Sequence, residues 1–199
     1  VNVAKGIEEK TLMTMTDIIS EEIPAAGVYV LSGPSHAEEV GRGIPTTCVI
    51  SGPKRETAEY LQGIFMSPVF RVYTTPDTLG VELGGSLKNV IALAAGTADG
   101  LGYGDNTKAA LITRGIARLG TKMGAHMETF YGLSGMGDLI VTCASVHSRN
   151  RKAGYLMGKG YTMQQAMNEV KMVVEGVYSA KAAKSLAEKY DVEMPIIME

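Results

Sequence analysis

The chain has no tryptophan, only two cysteines and no long uninterrupted run of apolar residues. Cys48 and Cys143 lie far apart and lack metal-ligand spacing, which argues against a disulfide framework and predicts reduced thiols. No apolar run reaches the ~18 residues that a bilayer-spanning helix needs. The net charge of -2 provides no general attraction to nucleic acid or anionic membranes. We therefore expect a cytoplasmic protein with no nucleic-acid partner, no bound metal and no stable membrane insertion.

What the sequence does contain is an ordinary globular composition, with 45% hydrophobic and 20% charged residues over 199 positions. This length is sufficient for one or two domains with a substantial core. The first residues, "VNVAKGIEE", read as the end of a buried strand rather than as a signal peptide. We therefore expect the chain to be a fragment that begins within a domain.

The pattern of secondary structure changes near Pro76. Before it, apolar strand-like segments such as "GVYVLS" and "TTCVISG" alternate with helical segments such as "KRETAEYLQGIFM". This alternation predicts an α/β layer with a mostly parallel sheet. After it the strand signals stop, and helical segments such as "TMQQAMNEVKM" and "SAKAAKSLAEKY" follow. We predict an α/β domain over residues 1–76 packed directly against an all-α domain over residues 77–199, an arrangement that favours a cleft between them.

Two further segments belong to the predicted helical domain. "DNTKAALITRGIARLGTKMG" has helical spacing, with one apolar stripe of Ala109, Ile112, Ile116, Leu119 and Met123. "GLGYGDN" follows a helix and forms no G-x-G-x-x-G, so it predicts a tight loop rather than a dinucleotide fingerprint.

Lys88 is the one charge in the middle of an apolar, glycine-rich helical stretch, "VELGGSLKNVIALAAG". Its helical neighbours include Gly84, Gly85 and Ile91, so no carboxylate on that face balances the charge. Lys88 either snorkels to water or is partly desolvated. Desolvation lowers the pKa of a lysine and suits it to proton transfer.

Two loops after predicted strands are candidate ligand sites. Ser35 and Glu38 in "GPSHAEEV" fit a capping box, while the loop's place at the end of a strand fits a phosphate site. The two interpretations are compatible. Lys5 in "KGIEE" occupies a similar place, as a solvated charge or as a ligand contact.

The segment "GLSGMGDLIVTCASVHSRNRKAG" holds two further candidates. Asp138 follows a glycine-rich turn and fits a helix cap. Ser148 fits the cap of a second helix, whose first turn carries Arg149, Arg151 and Lys152. Cations are unfavourable at the positive end of a helix, so either a bound anion offsets them or they point into solvent. The three histidines, His36, His126 and His147, lack metal-ligand spacing and are interpreted as ordinary surface or core residues.

Taken together, "KGIE", "GPSHAEEV", "ELGGSLKNVIALAAGTADGLGYGDNTKAALITRG" and "GLSGMGDLIVTCASVHSRNRKAG" closely resemble bacterial NAD(P)-dependent glycerol-3-phosphate dehydrogenases, essentially end to end. The resemblance implies that residues 1–76 are the C-terminal part of a Rossmann-type parallel-sheet domain. It implies that residues 77–199 form a helical substrate domain like the C-terminal domain of 6-phosphogluconate dehydrogenase. The implied reaction interconverts dihydroxyacetone phosphate and sn-glycerol 3-phosphate, with NAD or NADP as cofactor, for phospholipid synthesis.

The resemblance also assigns roles to residues. It implies that Lys88 is the proton donor and acceptor. The substrate contacts that it implies are Lys5, Gly33, Ser35, Asp138, Ser148, Arg149 and Asn150. The cofactor contacts that it implies are Lys5, Ala37, Arg149, Val173 and Glu175. Since the substrate carries a phosphate, the implied contacts agree with an anion site at "SRNRK".

The sequence departs from the family pattern in two respects. His36 stands where we expect an aromatic such as Phe, a change that should be tolerated beside the site. The strand, glycine-rich fingerprint and helix that hold the dinucleotide are absent, so we expect the 199-residue chain alone to be inactive. The residues that distinguish NAD from NADP are absent with them.

Two alternatives to this function stay open. A hydroxy-acid or ketopantoate reductase would share the two-domain plan and the lysine, but would not need the "SRNRK" cations. A non-catalytic interaction or dimerisation module, using some of the twelve methionines as an interface, would leave Lys88 and Asp138 as coincidences. The sequence leaves a homodimer open.

Overall fold

The structure is a computed structural model that describes residues 1–114 and 117–198. In the first part of the chain, short strands and helices alternate: α1 Met15–Glu22, β1 Val30–Ser32, α2 Ala37–Val40, β2 Thr46–Ser51, α3 Arg55–Phe65 and β3 Phe70–Thr75. The rest is helical: α4 Thr78–Leu101, α5 Asp105–Arg114, α6 Ala117–Lys122, α7 Met127–Tyr131, a π-helical turn Leu133–Gly137, α8 Asp138–Ala144, α9 Arg149–Gly158, α10 Met163–Val170, α11 Glu175–Lys189 and α12 Pro195–Met198. The predicted fold class, α/β followed by all-α, is confirmed. The division into two domains at residue 76 stays a prediction.

The sheet has the order β1-β2-β3 and is mixed rather than mostly parallel. β2 and β3 are parallel, with Thr46 opposite Phe70. β1 runs antiparallel to β2, with Val30 opposite Ser51, so the predicted direction is wrong for this pair. A buried apolar run indicates a strand but not its direction, and the connection from β1 to β2 contains only the four-residue helix α2.

The segment "VNVA" forms a single parallel bridge from Asn2 to Val30 instead of a buried strand. The backbone N–H of Asn2 donates to the Tyr29 carbonyl over 2.7 Å. Asn2 is buried while Val1 and Val3 are exposed, which reverses the expected orientation. The inward amide of Asn2 is satisfied locally, because its side chain pairs with both backbone groups of Ala4.

Helix α4 is the central element of the helical part. Its 24 residues span about 36 Å, and most of them are buried, so other elements enclose it around most of its circumference. The Asp77 carboxylate caps its first turn by accepting from the Gly80 N–H over 2.9 Å. Gly102 ends it in the left-handed conformation, where glycine carries no Cβ penalty. Lys88 therefore sits near the middle of a capped, enclosed helix.

Helices α4 and α9 approach each other through facing glycines. A Cβ built on Gly154 would lie 2.0 Å from the Leu93 carbonyl oxygen, and one on Gly96 would lie 2.0 Å from the Arg151 carbonyl oxygen. Only glycine permits backbones to come this close. The contact fixes the N-terminus of α9 beside the middle of α4.

The core of the helical part surrounds α4 with side chains from α6, α7, α8 and α11. Of the predicted stripe, Leu119 is buried and Ile112 and Met123 are partly buried against this core. Ala109 is exposed, and Ile116 lies outside the described residues. Within the described ranges, no helix has both the length and the apolarity to cross a bilayer.

Candidate active site

The ammonium of Lys88 is buried and makes two polar contacts, which leaves one of its three N–H donors free to face the cleft. Its Nζ donates to Asp138 Oδ1 over 2.5 Å and to Thr142 Oγ1 over 3.0 Å. The predicted absence of a carboxylate on its own helix face is correct, because the partner comes from α8, fifty positions along the chain. Lys88 is therefore desolvated and does not snorkel to bulk water.

The glycines next to Lys88 on α4 allow other segments of the protein to pack closely against the helix. A Cβ on Gly84 would lie 2.7 Å from the Ser134 carbonyl oxygen in the π-helical turn, and one on Gly85 would lie 2.9 Å from Ser32 Oγ. The glycines thus let the π-helical turn and the end of β1 pack against α4.

Burial lowers the pKa of Lys88 to about 8, and the nearby charge of Lys5 contributes in the same direction. The carboxylate of Asp138 acts in the opposite sense by favouring the ammonium. Desolvation dominates because almost no water reaches the amine. A lysine in this pKa range can both give and take a proton at physiological pH.

Asp138 is held between two lysines rather than used as a cap. Its Oδ2 accepts from Lys5 Nζ over 2.6 Å, while Oδ1 accepts from Lys88. The predicted capping role is wrong because the preceding π-helical turn leads directly into α8, so Asp138 is its first residue. The cluster of Lys5, Lys88 and Asp138 carries a net charge of one positive unit in a buried setting.

Thr142 completes this cluster, and it is not among the site residues predicted from the sequence. Its hydroxyl accepts from Lys88 and donates to the Asp138 carbonyl over 2.6 Å. It lies one helical turn after Asp138, so a search for polar partners four residues from Asp138 would have found it.

The cluster forms one wall of a cleft of about 410 Å³ between the sheet part and the helical part. Nine residues predicted to bind substrate or cofactor, or to act as the proton donor, line it: Lys5, Ser35, Ala37, Lys88, Asp138, Ser148, Arg149, Asn150 and Glu175. Gly33 and Val173 do not line it, and Met172 takes the place expected for Val173. The contacts that each makes with substrate or cofactor stay predictions.

Gly33 contributes to the cleft indirectly. It has a φ of 144°, and a Cβ there would lie 3.0 Å from Cys48 Cα, so the turn requires glycine. Its carbonyl accepts from Lys5 Nζ over 3.4 Å and from the Ser35 hydroxyl over 3.1 Å. The predicted capping box of Ser35 and Glu38 is wrong, because His36 is the N-cap of α2 and makes no side-chain cap bond.

Ser148 caps α9 as predicted, accepting from the Arg151 N–H over 3.2 Å. The three cations that follow do not act together. Arg151 turns away to Asp99 in α4, over 2.7 Å, and Lys152 is exposed. Arg149 lines the cleft, 3.6 Å from Glu175. The proposed anion site is therefore reduced to Arg149 and the N–H groups of the helix end.

Polar side chains tie α11 to this end of the cleft. Asn150 Oδ1 accepts from the Gly176 N–H over 2.8 Å, and Asn89 Nδ2 donates to Glu175 Oε2 over 2.9 Å. Gly176 must be glycine, since a Cβ there would lie 2.6 Å from the Asn89 carbonyl oxygen. The first turn of α11 is thus fixed to the same α4 segment that carries Lys88.

His36 and His147 were interpreted as ordinary histidines, yet both line the cleft. Their ring centroids are 6.4 Å apart in an edge-to-face arrangement, from the α2 side and the α8–α9 loop respectively. His126 lies elsewhere, and its backbone N–H donates to Asp77. Spacing along the chain gave no signal for the pair because the two residues come from different parts of the fold.

Family models of known proteins match most of the chain. The model described as "NAD-dependent glycerol-3-phosphate dehydrogenase C-terminus" matches residues 77–199, and the corresponding N-terminus model matches residues 1–58. The chain belongs to this family. The resemblance found in the sequence is thereby confirmed.

Curated relatives in this dehydrogenase family are similar along nearly the whole chain. "Glycerol-3-phosphate dehydrogenase [NAD(P)+]" of Agathobacter rectalis is 70% identical over 200 residues, covering 99% of this chain. The protein of the same name from Fusobacterium nucleatum is 68% identical over 202 residues, again covering 99% of this chain. The chain spans 60% of the length of each of these two relatives.

Solved structures of dehydrogenases from this family have the same fold. A crystal structure of glycerol-3-phosphate dehydrogenase from Coxiella burnetii superposes with a TM-score of 0.94 at 37% identity, covering 98% of this chain and 61% of that one. The yeast enzyme of Saccharomyces cerevisiae superposes with a TM-score of 0.82 at 27% identity, over the same shares of the two chains.

Proposed function

We propose that the complete protein containing this chain interconverts dihydroxyacetone phosphate and sn-glycerol 3-phosphate with NAD or NADP. This reaction would supply glycerol 3-phosphate for phospholipid synthesis. One observation carries the proposal: the buried ammonium of Lys88 and the N-terminus of α9, with the partly exposed guanidinium of Arg149, line one cleft. A phosphorylated ketone needs both a proton donor and an anion site.

Lys88 supplies the proton. As the ketone carbon is reduced, negative charge develops on its oxygen, and the Lys88 ammonium stabilises and then protonates that oxygen. Asp138 and Thr142 hold Nζ in place, so the amine loses little freedom when the substrate binds. In the reverse direction the neutral amine takes the proton back from the alcohol.

The N-terminus of α9 holds the substrate phosphate. Backbone N–H groups at a helix N-terminus favour an anion, and a guanidinium adds a charge-assisted pair. The contact between Arg149 and Glu175 is long at 3.6 Å, and more than a third of each side chain is exposed. Arg149 can therefore exchange a weak carboxylate contact for the phosphate at little cost.

The residues of the cleft are compatible with a nicotinamide cofactor. The cleft extends from Ala37 on α2 to Glu175 on α11, past Lys5 and Lys88. One side chain of its lining, that of His36, has a buried Nε2 with no hydrogen-bond partner among the described residues, so the cleft holds unused polar capacity. The cofactor, when bound, supplies or accepts the hydride. Lys5, Ala37, Arg149 and Glu175 would hold it, together with Val173, an exposed residue that follows Met172 of the cleft lining.

The cellular location of the protein and its oligomeric state are also part of the proposal. The buried, unpaired thiols of Cys48 and Cys143 agree with a reducing cytoplasm. Burial raises the pKa of the Cys143 thiol to about 12, so it takes no part as a nucleophile. A homodimer stays a prediction.

The reaction is tested by the choice of substrate. The complete protein is assayed for NADH and NADPH oxidation with dihydroxyacetone phosphate and, separately, with unphosphorylated keto acids. We expect turnover with dihydroxyacetone phosphate but not with the unphosphorylated keto acids, since Arg149 and the α9 N-terminus bind the substrate through its phosphate. Reduction of a keto acid in its place would establish the hydroxy-acid or ketopantoate reductase alternative. Turnover by neither substrate would support a non-catalytic module.

A further inference from the structure

The imidazole of His36 is a polar group in the cleft that neither proton transfer nor helix capping uses. The ring lines the cleft, and its Nε2 is buried without a hydrogen-bond partner among the described residues. A buried polar atom without a partner carries a desolvation cost that a native structure seldom keeps without a reason. In a ligand cleft, that reason is a partner which the ligand itself provides.

His36 faces the end of the cleft where the phosphate is placed. Its ring lies 6.4 Å from that of His147, which immediately precedes Ser148, the N-cap of α9. His36 is itself the N-cap residue of α2 but makes no side-chain cap bond, so its ring is not needed there. It therefore lies beside the loop that leads into the α9 N-terminus.

The charges around His36 keep its imidazole neutral. Burial lowers the pKa of His36, and the nearby ammonium of Lys88 lowers it further. The carboxylates of Asp138, Glu38 and Glu39 act in the opposite direction, more weakly. A neutral imidazole donates one hydrogen bond and accepts another, and a phosphate oxygen needs only the donor.

We propose that His36 donates a hydrogen bond from Nε2 to the phosphate of the bound three-carbon substrate. This inference rests on the proposed function. It makes His36 a substrate-binding residue and gives α2 a contact with the phosphate in addition to that of Arg149. The histidine at the position where Phe is expected thus acquires a role that a phenyl ring, which has no N–H donor, cannot fill.

The test uses three variants of the complete protein, with dihydroxyacetone phosphate as the varied substrate. His36→Phe keeps a planar ring but removes the donor, and should raise the KM for dihydroxyacetone phosphate roughly tenfold or more. Its kcat and its KM for the cofactor should stay within about twofold of the parent. His36→Gln, whose amide can donate from a similar place, should recover most of the loss. His126→Phe, an exposed N-cap outside the cleft, is the matched control and should change neither.

Several outcomes would overturn the proposal. An unchanged KM for dihydroxyacetone phosphate in His36→Phe would show that His36 does not donate a hydrogen bond to the substrate. A rise in the KM for the cofactor alone would show that the imidazole binds the cofactor instead. A His36→Gln variant as impaired as His36→Phe shows a packing role. If His36→Phe does not fold, His36→Ala replaces it in the test, with the same expected rise in the KM for dihydroxyacetone phosphate. Failure of the proposed function is distinguishable, because the parent protein would then not turn over dihydroxyacetone phosphate at all.

Discussion

Lys88 and Asp138 are joined at 2.5 Å with both side chains buried, whereas Arg149 and Glu175, in the same cleft, approach only to 3.6 Å with more than a third of each exposed. The first pair is held by a third group, Thr142, and by a second cation, Lys5. The second pair rests against solvent. The end of the cleft that contains Lys88 is therefore organised before any ligand arrives, while the end that contains Arg149 can rearrange around a ligand.

The largest expected effect comes from Lys88→Met, which removes the ammonium from the organised end of the cleft. Methionine fills a similar volume but cannot stabilise or protonate the developing alkoxide. We expect kcat for dihydroxyacetone phosphate to fall by roughly 10²–10⁴-fold with its KM little changed, as steady-state kinetics would measure. Lys152→Met on the exposed face of α9 is the control and should match the parent.

The second change, Asp138→Asn, leaves the two lysines without their shared counter-charge. Removing one partner of a buried ion pair costs about 3–5 kcal/mol, so denaturant unfolding should show a large loss of stability. The pKa of Lys88 should fall further, since Asp138 is what favours its charged form. Asp99→Asn, at a less buried site that also holds two cations, should cost clearly less. Equal costs would contradict the distinction drawn for the buried cluster.

Arg149 and Arg151 provide a crossed test of the anion end. Arg149→Gln should raise the KM for dihydroxyacetone phosphate roughly tenfold to a hundredfold with little loss of stability, because its partner Glu175 is half-exposed. Arg151→Gln should lower stability and leave that KM near the parent's, because Arg151 pairs with Asp99 away from the cleft. The reverse pattern would mean that the wrong arginine was assigned to the phosphate.

The last change, Gly154→Ala at the crossing of α4 and α9, acts on the cleft only indirectly. The added methyl group meets the Leu93 carbonyl oxygen, so α9 must shift, at a cost of about 1–3 kcal/mol in the free energy of unfolding. The shift moves the α9 N-terminus and should raise KM more than it lowers kcat. Gly104→Ala, where nothing lies within 4 Å of the new Cβ, is the control.

The sequence predicted much of the local structure of this molecule. Amphipathic spacing located α3, α10 and α11, and the apolar setting of Lys88 indicated a desolvated lysine as one of two options. Periodicity reports which face of an element is apolar, and this information is local.

The features that the sequence could not predict are contacts between residues that are far apart along the chain. Asp138 is fifty positions from Lys88, and the antiparallel direction of β1 depends on how a short connection packs. The same holds for Arg151, whose partner Asp99 lies on another helix, and for the facing rings of His36 and His147. Each of these depends on a contact between parts of the chain that are distant in the sequence, and the local sequence around each part does not specify it.

The pH dependence of the chemical step, in both directions, tests the role of Lys88 most directly. Reduction of dihydroxyacetone phosphate needs the ammonium, so its rate should fall as the pH rises through about 8, the pKa of buried Lys88. Oxidation of glycerol 3-phosphate needs the neutral amine, so its rate should rise through the same range. Opposite titrations near pH 8, both absent in Lys88→Met, are the predicted result. Profiles that are flat across this range, or that persist in Lys88→Met, would contradict the assignment of Lys88 as the proton-transfer group.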